Sequence, residues 1–402
     1  WAREWAVLAR AAGARYGILT AKHHDGFCLF DSSLTEFKAP NTPAKRDLVR
    51  EFVEACRAEG LRVGLYYSLP DWHHPDYPAW GDRQHPLRHD PASQERDRKA
   101  DWGRYVSYMH GQVEELCRNY GVIDLLFFDF SYWDFTGEKW GATELLRKVR
   151  ALQPDVVIND RLGNEALKQV PAPPWAGDFD QTEQDVPREG LRNAAGQPIP
   201  WESWFTLNNS WCYSSNDHEW KDARTVIRAL VNCVSKDGGL TLNVSPDATG
   251  RMPDEARSIL EQTGRWLAAN GESIYGAGAV DLPKPEWGRW TGREGRIYAH
   301  ILEPFIGHLT LPGLRGKVKN GRLLATGAEA IICDYWNPGV QTFDRPEDIF
   351  LNFGTPTQST FRLPDTIDTV VGLELTSPEE ERHLLRRYAA ELSAKLERTP
   401  FG

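Results

Sequence analysis

Asp129 ends the run "LLFFDF" at residues 125–130, a carboxylate placed where an otherwise apolar segment stops. A charge there is expensive unless it reaches a polar mouth and finds donors. A reactive carboxylate fits that position; an aspartate capping the next helix is the plainer alternative. Carboxylate chemistry on a sugar acetal needs two such groups. One stays ionised to attack or stabilise the anomeric carbon, and the other carries the proton for the leaving oxygen. The stretch "GDFDQTEQD" (177–185) supplies Asp178, Asp180, Glu183 and Asp185, read here as a loop. Glu183, reachable from solvent, suits the proton donor, but its acidic neighbours compete and the pattern alone does not choose among them. Upstream, "KHHDGF" (22–27) doubles a histidine directly after the strand-like "YGILTA". His23 and His24 could be metal ligands, a catalytic pair or two polar side chains at a strand end. Adjacent strand side chains point to opposite faces, so both could meet one ligand only where the strand is ending. As neutral imidazoles each offers a donor and an acceptor, which suits hydroxyl groups. No third His or Cys follows at a ligand-like spacing, which makes the metal reading the weaker one, and no cofactor is expected.

Positioning these groups requires several strand ends on one side of a sheet. From the start to about residue 272, short apolar runs (16–21, 62–68, 123–130, 155–160, 240–245) alternate with helix-period stretches (45–59, 97–119, 141–152, 220–235, 253–269). The runs are nearly continuous in apolar residues, as in parallel strands covered on both faces. Alternation of this kind means βαβ units. A (β/α) barrel of TIM type is favoured over a doubly wound sheet, because polar clusters follow nearly every strand and would gather on one face. No G-x-G-x-x-G marks a switch point. Beyond residue 275 the pattern becomes short alternating runs broken by Gly, Pro and Asn, which reads as a small antiparallel β-sandwich. The last residues, from "SPEEERHLLRRYAAELSAKL", read as a capped helix of about 18 residues. The expected division is a catalytic barrel over 1–272, a sandwich over 273–377 and a helical tail over 378–402.

The composition, 41% apolar and 26% charged over 402 residues, is that of a globular protein. A net charge of −10 argues against nucleic-acid or anionic-membrane partners. No apolar run reaches the roughly 18 residues of a membrane span. Six cysteines without a C-x-x-C spacing read as free thiols in a reducing compartment, which favours the cytoplasm over the periplasm or secretion. Many of the 16 Trp lie in polar stretches such as "DWHHPDYPAW", where aromatic faces beside hydrogen-bonding groups suit sugars.

The motifs "AKHHDGF", "FFDF", "VVINDRLG", "GDFDQTE", "SWCY" and "GGLTLNVSPDATGRMPDEARSILEQTGRWLAANGESIYG" occur in the order found in α-L-fucosidases of glycoside hydrolase family 29. The chain resembles that family over nearly its whole length. The resemblance implies a retaining, metal-independent hydrolase acting on a fucosylated oligosaccharide or glycoconjugate. Residue by residue, it implies Asp129 as nucleophile, Glu183 as acid/base, and His23 and His24 as binders of fucose hydroxyls. Tyr66 and Arg161 resemble further pocket residues, and Trp211 in "SWCY" resembles the aromatic that borders the sugar. Phe127, two residues before Asp129, stands where many relatives have Trp. The family's barrel begins upstream of anything found here, and six or seven barrel strands are counted rather than eight. Either an N-terminal segment is absent, or the barrel closes differently; a homo-oligomer is compatible with the sheet edges that a missing strand would expose. Two rival readings are a catalytically impaired sugar-binding protein and a retaining hydrolase of a sugar configured like fucose.

Overall fold

The computed structural model describes residues 1–304, 309–334, 345–353, 363–377 and Leu384. The helical tail expected over 378–402 lies outside the described residues, Leu384 apart.

The first part alternates helices and strands. In chain order these are α1 (Ala2–Ala11), β1 (Tyr16–Lys22), α2 (Leu48–Ala58), β2 (Arg62–Ser68), α3 (Pro91–Asp97), α4 (Trp102–Asn119) and β3 (Leu125–Asp129). They are followed by α5 (Ala142–Leu152), β4 (Val157–Ile158), β5 (Asp180–Glu183), β6 (Trp201–Thr206), α6 (Ala223–Val234), β7 (Gly238–Asn243) and α7 (Asp254–Asn270). Strands β1 to β4 form one parallel sheet and β5 to β7 another. An isolated parallel bridge between Asn159 and Phe179 joins the two edges.

Both faces of the first sheet are buried, which is why its sequence is nearly all apolar. Leu65, Tyr67, Leu126 and Phe128 pack outward against Phe52, Met109, Val113 and Leu145 of the helices. The alternate positions Tyr66, Leu125, Phe127 and Val157 form an inner cluster with Phe179, Tyr16, Ile18 and Trp204. Strand β4 is shorter than the expected 155–160 because Asn159, fully buried, takes over with its side chain. Its Oδ1 accepts from the Phe128 N–H at 2.8 Å and its Nδ2 donates to the Phe128 carbonyl at 2.8 Å.

Helix α1 and its C-cap pack Leu8 and Ala12 against Ile259 and Leu260 of α7 and Val226 of α6. It therefore lies beside the last helix of this part as well as the first strand. The α1–α7 approach depends on Gly264, where a Cβ would sit 1.9 Å from the Ala11 carbonyl oxygen. Because that neighbour is backbone, Gly264→Ala is expected to destabilise the fold by about 2 kcal/mol or more, read as a lowered urea midpoint at unchanged m.

The second part comprises β8 (Gly288–Arg293), β9 (Arg296–Ile301), β10 (Leu309–Leu311), β11 (Val318–Leu323), β12 (Glu329–Cys333), β13 (Ile349–Asn352) and β14 (Thr369–Leu375). They pair antiparallel in the order β10-β13-β12-β11-β14-β9-β8 around a core that includes Trp287, Trp290, Leu311, Leu351 and Leu373. A further cluster, with Ile227 and Trp266 on one side and Tyr298 and Val370 on the other, fastens the two parts together.

Candidate active site

The parallel strands end side by side. Ser68, last in β2, pairs in register with Asp129, last in β3. Asp129 reaches the mouth and finds two donors: the Tyr66 hydroxyl at 2.7 Å to Oδ2, and Arg161 Nη1 at 2.6 Å to Oδ1. Arg161 follows β4 on a segment held by the carboxyl of its neighbour Asp160, which accepts from the N–H groups of Leu167 (2.8 Å) and Gly177 (3.0 Å). Burial pushes that Asp160 carboxyl up to about 7, against the pull of the two backbone donors.

The other arm of the Arg161 guanidinium, Nη2, is ion-paired with Glu183 Oε1. One planar fork therefore holds both acids. The two oxygens it grips lie less than about 8 Å apart, two hydrogen bonds plus the width of the fork. Glu183 is not in a loop as its polar surroundings suggest; it ends β5, in register with Trp204 of β6. The residues "DQTE" form a strand despite their polarity because β6 supplies a parallel partner, and Thr182 Oγ1 lies 2.8 Å from Ser203 Oγ. Geometry also sorts the four acids. Asp178 turns outward to Arg150 and to the Ile158 N–H (2.8 Å). Asp180 bonds the Gln181 N–H and lies 3.9 Å from Lys168. Asp185 accepts from the Thr182 and Ser203 hydroxyls through its backbone carbonyl, and of the four only Glu183, among the described residues, is ion-paired with the cation that holds Asp129.

His23 and His24 follow β1 directly, as its last ladder residue is Lys22. The His23 ring stacks 5.7 Å from Tyr66, His24 stacks 3.8 Å from Trp72, and Phe130 stands edge-on to both at 5.5 and 4.7 Å. Phe130 adopts a left-handed φ of 70°, so the chain turns sharply immediately after Asp129. His24 Nδ1 and Trp72 Nε1 are both buried without a hydrogen-bond partner among the described residues. Beneath them Lys22, fully buried, lies 3.4 Å from Asp71 and 4.4 Å over the Tyr67 ring. Asp71 also accepts from the N–H groups of His73 and His74 at 3.0 Å, and the Trp72 N–H donates to the His24 carbonyl at 2.8 Å. The loops after β1 and β2 are thereby tied into one unit.

Phe127 lies on the inner face, 4.1 Å from the Trp204 ring and 5.5 Å from Tyr66, with the Arg161 guanidinium 6.0 Å above it. The Trp204 indole N–H donates to Glu202, a buried acid that also accepts from Tyr16 and Thr241 hydroxyls at 2.8 Å. Trp211 stands apart from this group. Its side chain is exposed, its carbonyl accepts from Asn243 and Ser245, and no ring contact or hydrogen bond among the described residues joins it to the acids. Trp72 lies in the polar, aromatic stretch "DWHHPDYPAW" that the sequence marks as suited to sugars, whereas Phe130 and Trp204 look like ordinary loop or core aromatic content until their neighbours are known. Among the described residues no group of three His, Cys, Asp or Glu could hold a metal ion, and no helix is long and apolar enough to cross a membrane.

Burial, and then the adjacent His23 ring, lowers His24 from 6.5 to about 4. Below about pH 6.5 the unfolded chain takes up a proton that the folded one refuses, so this contribution is complete above that pH and lost as pH falls toward 4. His24→Gln is therefore expected to lose less Tm than the parent between about pH 7 and pH 4.5. Equal losses in calorimetry would contradict the assignment.

A family model described as Alpha-L-fucosidase matches residues 1–272. The chain belongs to the alpha-L-fucosidase family. It is similar to the alpha-L-fucosidase of Dictyostelium discoideum (27% identity, 75% of this chain and 62% of that one) and to the plasma alpha-L-fucosidase of Homo sapiens (30%, 77% and 64%). The chain thus spans less than two thirds of the length of these curated fucosidases. Among solved structures, alpha-L-fucosidase isoenzyme 1 of Paenibacillus thiaminolyticus superposes with a TM-score of 0.88 at 52% identity, covering 94% of this chain and 86% of that one. A Bacteroides thetaiotaomicron family 29 fucosidase, solved as a trapped covalent intermediate, superposes with a TM-score of 0.76 at 25% identity over 94% and 82%.

Proposed function

We propose that this chain is a retaining exo-hydrolase that releases terminal α-L-fucose from a fucosylated oligosaccharide or glycoconjugate. The observation that carries the reading is the single guanidinium of Arg161 gripping two carboxylates, one at the end of β3 and one at the end of β5. Asp129, on the rigid end of β3, attacks the anomeric carbon while Glu183 protonates the departing oxygen. Glu183 then takes a proton from water, which hydrolyses the fucosyl ester. Tyr66 and Arg161 orient the nucleophile, and their donors disperse charge on it as the bond forms. His23 and His24 take fucose hydroxyls through their imidazole nitrogens, each of which offers a donor or an acceptor. Phe127 faces the sugar's apolar side, and Trp211 borders it from an exposed loop. The chemistry needs no metal or other cofactor.

In the same reading the seven parallel strands of residues 1–272 form a TIM-type (β/α) barrel, with α1 covering the gap between β1 and β7. Tyr16, first in β1, supports this by bonding Glu202 of β6 and lying 2.6 Å from Thr241 of β7. Residues 273–377 form the sandwich domain.

Release of the phenol from an aryl α-L-fucoside, with α-L-fucose as the first anomer seen by NMR, is the expected result. Binding of the fucoside without release, or first formation of the β anomer, would refute it. A panel of aryl glycosides including β-galactoside is expected to show fucose preferred.

A further inference from the structure

The loop after β3 holds one indole in a demanding backbone conformation and leaves it open to solvent. Trp133 lies just beyond Asp129 with a φ of 49°, a left-handed region that few residues other than glycine enter, and its side chain is 49% exposed. The turn that presents it is closed by two backbone hydrogen bonds between Tyr132 and Phe135, at 3.0 and 2.9 Å.

The loop after β2 contributes the other half. Asp82, only 6% exposed, accepts from the Tyr132 hydroxyl at 2.8 Å, the Tyr77 hydroxyl at 3.1 Å and the N–H groups of Gln84 and His85 at 2.8 and 3.2 Å. With residues 82 and 132 bonded, the residues that follow them meet: the Arg83 guanidinium carbon lies 3.4 Å from the centre of the Trp133 ring. An exposed tryptophan or a surface cation–π pair is ordinary when taken singly. Here a buried carboxylate locks both loops, and a left-handed backbone persists where only its surroundings can hold it.

Arg83 covers one face of the indole, the Tyr132 ring stands edge-on to it at 5.8 Å, and about half of the side chain remains exposed. A flat aromatic face bordered by guanidinium donors matches the C–H face and hydroxyl rim of a pyranose. Trp133 follows the end of β3 by four residues, and among the described residues no ring contact or hydrogen bond joins it to the His23, His24 and Tyr66 group that takes fucose in the function proposed above. We infer that Trp133 and Arg83 form a subsite for the pyranose on the leaving-group side of the cleaved bond. The inference rests on the fucosidase reading.

The test compares an α-L-fucosyl-galactose disaccharide, in the linkage the parent cleaves fastest, with α-L-fucosyl fluoride, which has no sugar on that side. Trp133→Ala is expected to lower kcat/KM on the disaccharide about tenfold, roughly 1.4 kcal/mol, while the fluoride changes by less than about twofold. Arg83→Ala should act in the same direction to a smaller extent, and Trp133→Phe should retain most of the disaccharide rate. Unchanged fluoride hydrolysis also shows that the variants fold. Equal losses on both substrates, or no loss on the disaccharide, would overturn the subsite while leaving the fucosidase reading intact. A parent chain that cleaves neither would overturn both.

Discussion

Asp129→Gly is expected to lower turnover of an aryl α-L-fucoside by at least about 10⁴-fold, the scale on which removal of an essential covalent catalyst acts. The fold should survive, because Asp129 closes a strand at the mouth and its removal leaves Arg161 paired with Glu183. The space vacated lies between two fixed donors, the Tyr66 hydroxyl and Arg161 Nη1. Azide should enter it and attack the anomeric carbon from the side the carboxylate used, giving β-L-fucosyl azide and recovering part of the lost rate. Substantial activity remaining without azide would mean that another group forms the covalent bond. Rescue giving only the α azide would mean attack from the wrong face.

The second large effect is expected from Glu183→Gln and depends on the leaving group. A positioned general acid contributes about 10²–10⁴-fold, and that contribution matters only where the departing oxygen needs a proton. Hydrolysis of a fucosyl disaccharide should therefore fall by about that factor. Cleavage of the fucosyl–oxygen bond in a dinitrophenyl fucoside, followed as the burst of phenol, should change by less than about tenfold. Glu183 ends β5 with its side chain 41% exposed, open to a group that needs a proton. Its contact with Arg161 has to give way to the glycosidic oxygen for the proton to move. Equal losses on the two substrates would remove Glu183 from the acid role.

Much of this arrangement could be read before any coordinates. Strand β2 has the bounds its sequence indicated, Arg62–Ser68, because a segment buried on both faces leaves little ambiguity in "RVGLYYS". Asp129 was legible for the same reason, as a lone charge closing an apolar strand. The doubled histidine was placed correctly at a strand end, since β1 stops at Lys22. Strands β5 and β6 were not legible. "DQTE" carries no apolar residue, and "WESWFT" contains an acid that looks solvated. Glu202 is nevertheless 1% exposed, satisfied by Tyr16, Thr241 and Trp204, partners that only the closed fold brings to it. Pattern alone did not choose Glu183 over Asp178 and Asp180; the family resemblance did, and the Arg161 contact that sets Glu183 apart is made by long-range packing rather than by local pattern. Trp72 shows the same limit: its stacking on His24 depends on the buried Lys22–Asp71 pair, which joins two loops distant in sequence. The helical stretches fared better, because amphipathic period and N-caps are local. Asp47, Asp101 and Asp222 each cap the helix that follows, accepting from Arg50, Arg104 and Thr225 N–H groups.

The central claim is that Asp129 becomes covalently bonded to the sugar, and peptide mapping by mass spectrometry after incubation with 2-fluoro-fucosyl fluoride tests it most directly. The prediction is a fluoro-fucosyl mass on the peptide carrying Asp129, absent from the Asp129→Gly variant. A label on a peptide from residues 177–185, or inactivation with no label on Asp129, would contradict the account.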